Sequence, residues 1–262
     1  MTITEINALL VPCLKELRLP TIRGCYEELA DTARSEAVTY ERYLLELAER
    51  EQEVRRINRI ERLLRGSRLP LEKTFESFER RRLPRKIDVQ VSALVDGSFL
   101  TRRENILAFG NPGSGKTHLV CAIAHELIRR GHAVLFTSCQ VLVQELLASK
   151  AALFLPQKLK RLARYELIII DDIGYVQQSR AEMEVLFTLL AYRYERGSVA
   201  LTSNLPFSKW ETIFKDPMTT AAAIDRLVHH CVILELNLTS YRLEHSKAKR
   251  SVSASETAQV AQ

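Results

Sequence analysis

The run Gly110-Asn111-Pro112-Gly113-Ser114-Gly115-Lys116-Thr117 constrains this chain most, because it follows an apolar stretch ending at Phe109 and opens a helical pattern reaching Arg130. Strand, glycine-rich loop and helix in that order make a phosphate cradle. The glycines let consecutive backbone N–H groups turn toward phosphate oxygens, and the helix N-terminus adds its partial positive charge. In such a loop Lys116 reaches the β- and γ-phosphates of a nucleoside triphosphate, and the Thr117 hydroxyl binds Mg²⁺.

Short apolar runs alternate with helical segments from Arg103 onward: Ile106–Phe109, Ala133–Thr137, Leu167–Ile170, Val199–Thr202 and Val232–Leu236. Five strands separated by helices predict an α/β fold with a five-stranded, doubly wound parallel sheet. The third run ends in Asp171-Asp172. Ligands of parallel sheets gather at that strand end, so Asp171 suits the carboxylate that holds Mg²⁺ through water, and Asp172 the base that orients an attacking water. The fourth run leads into Ser203-Asn204, whose neutral amide suits a γ-phosphate or water sensor; a turn-capping role before Pro206 is the plainer alternative. Asp225 and Arg226 interrupt an apolar helical run, where a cation requires an anionic partner. Either Arg226 pairs with a local acid, or it projects across a subunit boundary toward a neighbour's ATP.

The chain before this core has a different texture. From Ile6 to about Arg68 the periodicity is helical, with breaks near Pro20 and Ala37-Val38, which predicts a small all-α domain of three helices. The last helix begins after Thr39 as N-cap and stops at Gly66. On it Val54, Ile57, Ile60 and Leu64 form a stripe expected to pack, with Arg55, Arg59 and Arg62 on the opposite side. Six arginines against the single acid Glu61 between Arg55 and Arg68 suit phosphate contact along a duplex, or else a solvated face. A second basic knot is Arg80, Arg81, Arg82, Arg85 and Lys86. The expected division is residues 1–68 helical domain, 69–102 connector and start of the ATPase domain, 103–246 core, and 247–262 a disordered tail. Phe75 and Phe78 of the connector are expected to dock on the core.

Composition narrows the function classes. The excess of 38 Lys+Arg over 32 Asp+Glu gives a net charge of +6, a lean toward polyanions. Cys13, Cys25, Cys121, Cys139 and Cys231 form no C-x-x-C pair, so they read as reduced, mostly buried hydrophobes. His229-His230-Cys231 lacks metal-ligand spacing. No signal segment or membrane-length apolar run is visible, which places the expected location in the cytoplasm, away from membranes.

In order, these residues resemble the IstB/DnaC branch of AAA+ ATPases. The likeness to IstB-type transposition helpers lies in Asn105-Ile106-Leu107, Thr117-His118-Leu119, Tyr192-Arg193-Tyr194-Glu195-Arg196 and Thr202-Ser203-Asn204-Leu205-Pro206-Phe207. It continues through Trp210, Phe214, Asp225-Arg226-Leu227 with His229-His230, and Ser240-Tyr241-Arg242. The resemblance implies an AAA+ core without a C-terminal lid, ATP-promoted self-assembly around duplex DNA, and help to a transposase of the same insertion sequence. It implies Lys116 and Thr117 as phosphate and Mg²⁺ residues, Asp171 and Asp172 as the acidic pair, Asn204 as sensor and Arg226 as a finger in trans. Many relatives carry Glu where Asp172 stands, so the shorter side chain implies slow turnover. A basic segment before the acid-bearing strand, here Lys158, Lys160, Arg161 and Arg164, is implied to touch DNA near the mouth of the sheet; a surface helix capping the core with Leu159 and Leu162 is the alternative. A helicase loader of the DnaC kind is the alternative function.

Overall fold

The computed structural model describes residues 1–174, 179–210 and 217–238. Phe214, Ser240-Tyr241-Arg242 and the tail 247–262 lie outside the described residues. Two compact units, Met1–Arg62 and Leu63–Gln262, divide inside the third helix rather than near residue 68.

In the first unit, α1 (Ile3–Glu16), α2 (Pro20–Ser35) and α3 (Tyr40–Ser67) surround Leu14, Tyr26, Leu29 and Leu47. Thr39 begins α3 by accepting the Arg42 amide at 3.4 Å. Glu51 is buried, and its carboxylate takes the Thr21 and Ile22 amides at 2.9 and 3.1 Å. It thereby supplies the cap that α2 lacks in its own Leu19. Arg55 closes on Glu51 at 2.8 Å and also donates to the Arg18 carbonyl.

The stripe expected to pack on α3 does so only in part: Ile60 and Leu64 are half-buried, but Val54 is 39% and Ile57 44% exposed. The cause is length. At 1.5 Å per residue the 28-residue α3 runs about 42 Å, whereas α1 and α2, with 14 and 16 residues, run about 21 and 24 Å and leave its second half uncovered. The cysteines also differ from expectation: only Cys121 and Cys139 are buried, and Cys13 is exposed.

The second unit holds β1 (Asn105–Gly110), β2 (Val134–Ser138), β3 (Leu167–Ile173), β4 (Ser198–Ser203) and β5 (Cys231–Leu236) in one sheet of order β2-β3-β4-β1-β5. Every strand pair is parallel. Leu107, Ile168, Ile170, Val199 and Leu201 face α7 (Cys139–Ala151), α8 (Leu155–Leu162), α9 (Arg180–Arg193) and α10 (Pro217–Val228). Their strand neighbours Ile106, Ala108, Leu167, Ile169 and Ala200 are buried as well, so both faces are covered and the strands read as continuous apolar runs. Each Val, Leu or Ile side chain among them contributes about 1.5–3 kcal/mol of burial. α6 (Lys116–Arg129) packs on β1, β2 and β4, with α4 (Arg85–Val95) beside it.

Candidate nucleotide site

β1 delivers the glycine loop to the carboxyl edge of the sheet. Gly110 takes φ +151° so close to β5 that a Cβ would sit 2.2 Å from the Leu236 carbonyl oxygen. Gly115 takes φ +91°, and a Cβ there would stand 3.1 Å from the Phe78 ring. Between them the backbone bends into a concave loop of the kind that cradles an anion, with the Ser114 amide donating to the Asn111 carbonyl at 3.1 Å. Lys116 is buried, and its Nζ donates to the carbonyls of Gly110 and Asn111 at 2.9 and 3.0 Å. Ser114 Oγ is buried with no hydrogen-bond partner, as a group awaiting a phosphate oxygen would be.

Asp171 and Asp172 would point to opposite faces of a regular strand. The ladder between β3 and β4 shifts register between Ile170 and Ile173, and Asp172 adopts φ +58°. This bulge turns Asp172 into the wall of the same cavity as Lys116 and Thr117. The Asp171 carboxylate accepts from Thr117 Oγ1 at 2.8 Å and from Thr202 Oγ1 at 2.6 Å. Hydroxyl and carboxylate oxygens side by side are the hard donors that Mg²⁺ selects. Thr202 also accepts the Asp172 amide at 2.9 Å, a role that its place inside the Thr-Ser-Asn run did not disclose.

Asn204 lines the cavity from the end of β4. Its loop is pinned on both sides. Ser203 Oγ donates to the Ile173 carbonyl at 3.0 Å, and the fully buried Trp210 donates from Nε1 to the Leu205 carbonyl at 3.2 Å.

The cavity measures about 300 Å³, and much of its wall comes from the connector: Lys73, Ser77, Phe78, Glu79 and Arg82. Docking of Phe78 was expected, but not its place in the site, and Phe75 does not line the cavity. Phe78 packs edge-on to His118 with ring centroids 5.1 Å apart, while His118 Nε2 donates to the Thr74 carbonyl at 3.0 Å. His125 Nε2 similarly donates to the Pro70 carbonyl at 3.0 Å. A connector carrying two phenylalanines and no core of its own was the available signal.

Two predicted groups lie elsewhere. Arg226 stands outside the nucleotide cavity of its own chain, with its guanidinium 4.7 Å over the Phe187 ring. Among the described residues no carboxylate pairs with it. The basic segment of α8 leads into the start of β3, at the amino edge of the sheet, and so lies opposite the mouth where it was expected. The 13-residue α7 runs back across the sheet before α8 begins, which explains the displacement. Leu159 and Leu162 are buried there, Lys160, Arg161 and Arg164 are exposed, and Lys158 pairs with Glu145 at 2.5 Å.

Arg193, from the Tyr-Arg-Tyr-Glu-Arg run, proves architectural. It is 3% exposed and donates to the carbonyls of Leu162, Tyr165, Glu166 and Ser198. Burial and then the charge of Arg103 push its pKa down to about 10. A Cβ on Gly197 would meet Arg193 Nη2 at 2.4 Å, so glycine makes room for the guanidinium.

A sequence profile of the IstB-like ATP binding protein family matches residues 12–249. The chain belongs to that family. Among IstB-like relatives, an insertion sequence ATP-binding protein of Sinorhizobium fredii is 44% identical over 239 residues, covering 90% of this chain and 80% of that one. The insertion sequence IS5376 ATP-binding protein of Geobacillus stearothermophilus is 34% identical over 231 residues, covering 88% and 92%. Of solved structures, DnaI matches with TM-score 0.54 at 21% identity, covering 65% of this IstB-like chain and 96% of its own, which shows the shared AAA+ fold. Among the described residues no helix is long and apolar enough to cross a membrane.

Proposed function

We propose that this IstB-like chain is an ATP-dependent, DNA-binding helper of transposition. It assembles on duplex DNA in the cytoplasm, hydrolyses ATP to ADP and phosphate, and recruits or stimulates a transposase of the same insertion sequence at target DNA. One observation carries the reading: the Asp171 carboxylate is held by Thr117 and Thr202 beside the glycine loop, in a chain whose relatives are named for insertion sequences.

The loop from Gly110 to Thr117 wraps the phosphates, and Lys116 exchanges its two carbonyl contacts for phosphate oxygens. Mg²⁺ would be held by the Thr117 hydroxyl and, through water, by Asp171, and would neutralise charge building on the phosphates. The Asp172 carboxylate, exposed in the cavity, accepts a proton from the attacking water. Asn204 fixes that water or the γ-phosphate by hydrogen bonding. Phe78 and Leu238, the apolar part of the wall, supply a surface for the base. Arg226, remote from its own cavity, completes the site of a neighbouring copy, which makes turnover depend on assembly.

Duplex phosphates are contacted by Arg55, Arg59 and Arg62, all exposed on α3, and by Lys160, Arg161 and Arg164 on the core. Lys158 contributes less, because it is half-buried and already holds Glu145. The deciding experiment measures ATP hydrolysis and complex size together, with duplex DNA, single-stranded DNA and no DNA, using Lys116→Ala as control. Duplex-driven assembly and turnover is the expected result. Stimulation by single strands alone, or by no DNA, would overturn it in favour of a DnaC-like helicase loader.

A further inference from the structure

We propose that Leu153 and Phe154 form an apolar wedge that enters a base step of the duplex held by the neighbouring cations; this rests on the duplex-binding reading above. Leu153 is 87% exposed and Phe154 62%. They are not loose ends of the core. Leu155 packs against the core cluster that contains Leu159 and Leu162, and so occupies the inward face of α8. The tip is fixed by backbone bonds, from the Leu153 amide to the Lys150 carbonyl at 3.1 Å and from the Phe154 amide to the Ser149 carbonyl at 2.8 Å.

Leu153 holds φ +60°, a left-handed conformation that Gly or Asn would adopt more readily.

Gln157 and Arg161 share the face of α8 opposite Leu155, Leu159 and Leu162, with Phe154 at its N-cap and Arg164 in the turn that follows it. All four are exposed, and Arg161 and Arg164 form no ion pair among the described residues. An aromatic at one end of a row of free arginines matches the duplex in two ways. The cations take phosphates, and the apolar tip takes the faces of partly unstacked bases, as Phe and Leu wedges do elsewhere.

A wedge works against base stacking, so it binds more tightly where stacking is already weakened. The experiment compares a perfect duplex with the same duplex carrying a central two-base mismatch, in the presence of ATP, over a range of salt. The unaltered protein is expected to prefer the mismatch by about ten-fold. Leu153→Ala with Phe154→Ala should bind both duplexes alike while keeping its ATP affinity and salt slope, and Phe154→Leu should restore part of the preference. Lys160→Gln with Arg161→Gln and Arg164→Gln should flatten the salt slope and keep the preference. A preference absent from the unaltered protein, or intact in the double alanine variant, overturns the wedge while leaving duplex binding in place. No binding to either duplex removes the transposition-helper reading and the wedge together. Binding to anionic phospholipid vesicles that the double alanine variant loses, with duplex preference unchanged, assigns the tip to a membrane surface instead.

Discussion

The Thr202 hydroxyl donates to the Asp171 carboxylate at 2.6 Å and accepts the Asp172 amide at 2.9 Å. One side chain on β4 therefore sets the positions of both acids at the end of β3. Thr202→Val keeps the shape and removes both bonds. It should lower kcat about 10- to 100-fold, corresponding to roughly 1.4–2.7 kcal/mol, with ATP affinity changed only a few-fold. A parallel loss in ATP affinity would show that Thr202 supports binding rather than the placement of Asp172.

Asp172 sits at φ +58°, a conformation that Asn tolerates well. Asp172→Asn is expected to keep fold and ATP binding, abolish hydrolysis, and lengthen the life of the ATP-bound assembly on DNA. Light scattering and phosphate release followed in one reaction check both parts. Continued hydrolysis near the original rate would move the base elsewhere.

The wall built by Phe78 makes a separate claim. Phe78→Ala removes the ring packed against Gly115 and His118, and should weaken ATP binding by about ten-fold, near 1.4 kcal/mol. Inorganic triphosphate, having no base, should bind the variant as it binds the original protein. Equal losses for both ligands would mean that the ring supports the loop and not the base.

Arg226 lies over Phe187 and away from its own cavity. Arg226→Ala should leave ATP binding intact and remove most DNA-stimulated hydrolysis. Mixed with Lys116→Ala protein, whose Arg226 is intact, it should regain part of that activity, because the finger is supplied by the neighbour. Normal stimulated hydrolysis by Arg226→Ala alone defeats the trans assignment.

Glu51 ties α3 to the start of α2. Burial would raise its carboxyl pKa, but Arg55 and the Ile22 and Thr21 amides outweigh burial and hold it below 4.5. A folded-state value below the unfolded one means that the stabilisation is complete above the unfolded value and is lost as pH falls through the folded one. The helical unit should thus loosen in acid below about pH 4.5. Glu51→Gln should cost about 1–3 kcal/mol at neutral pH and blunt this acid sensitivity, as read by helical circular dichroism.

Much of this was legible in the residues. The phosphate loop and Asp171-Asp172 are contiguous, so local order sufficed to find them. The five strands were visible because both sheet faces are covered, which removes polar interruptions. The bulge at Asp172 was not legible, since it arises from a register shift against β4 that no local pattern encodes. Phe78 was unreadable as a site residue for a similar reason: its neighbour Gly115 is distant in sequence, and only folding brings them together. The exposed Val54 and Ile57 failed a different assumption, that an apolar stripe on a helix always finds cover.

β1, which carries the glycine loop, is bordered by β4 and β5, both built from residues far later in the chain. The close pass of Gly110 beneath the Leu236 carbonyl means that the loop acquires its native frame only with β5 in place. During synthesis, a chain halted anywhere between residues 117 and 231 would carry the entire glycine motif and still lack the strand against which that motif is braced. Competence for nucleotide is thus a late property of the growing polypeptide, acquired when the sheet closes and not when its signature emerges.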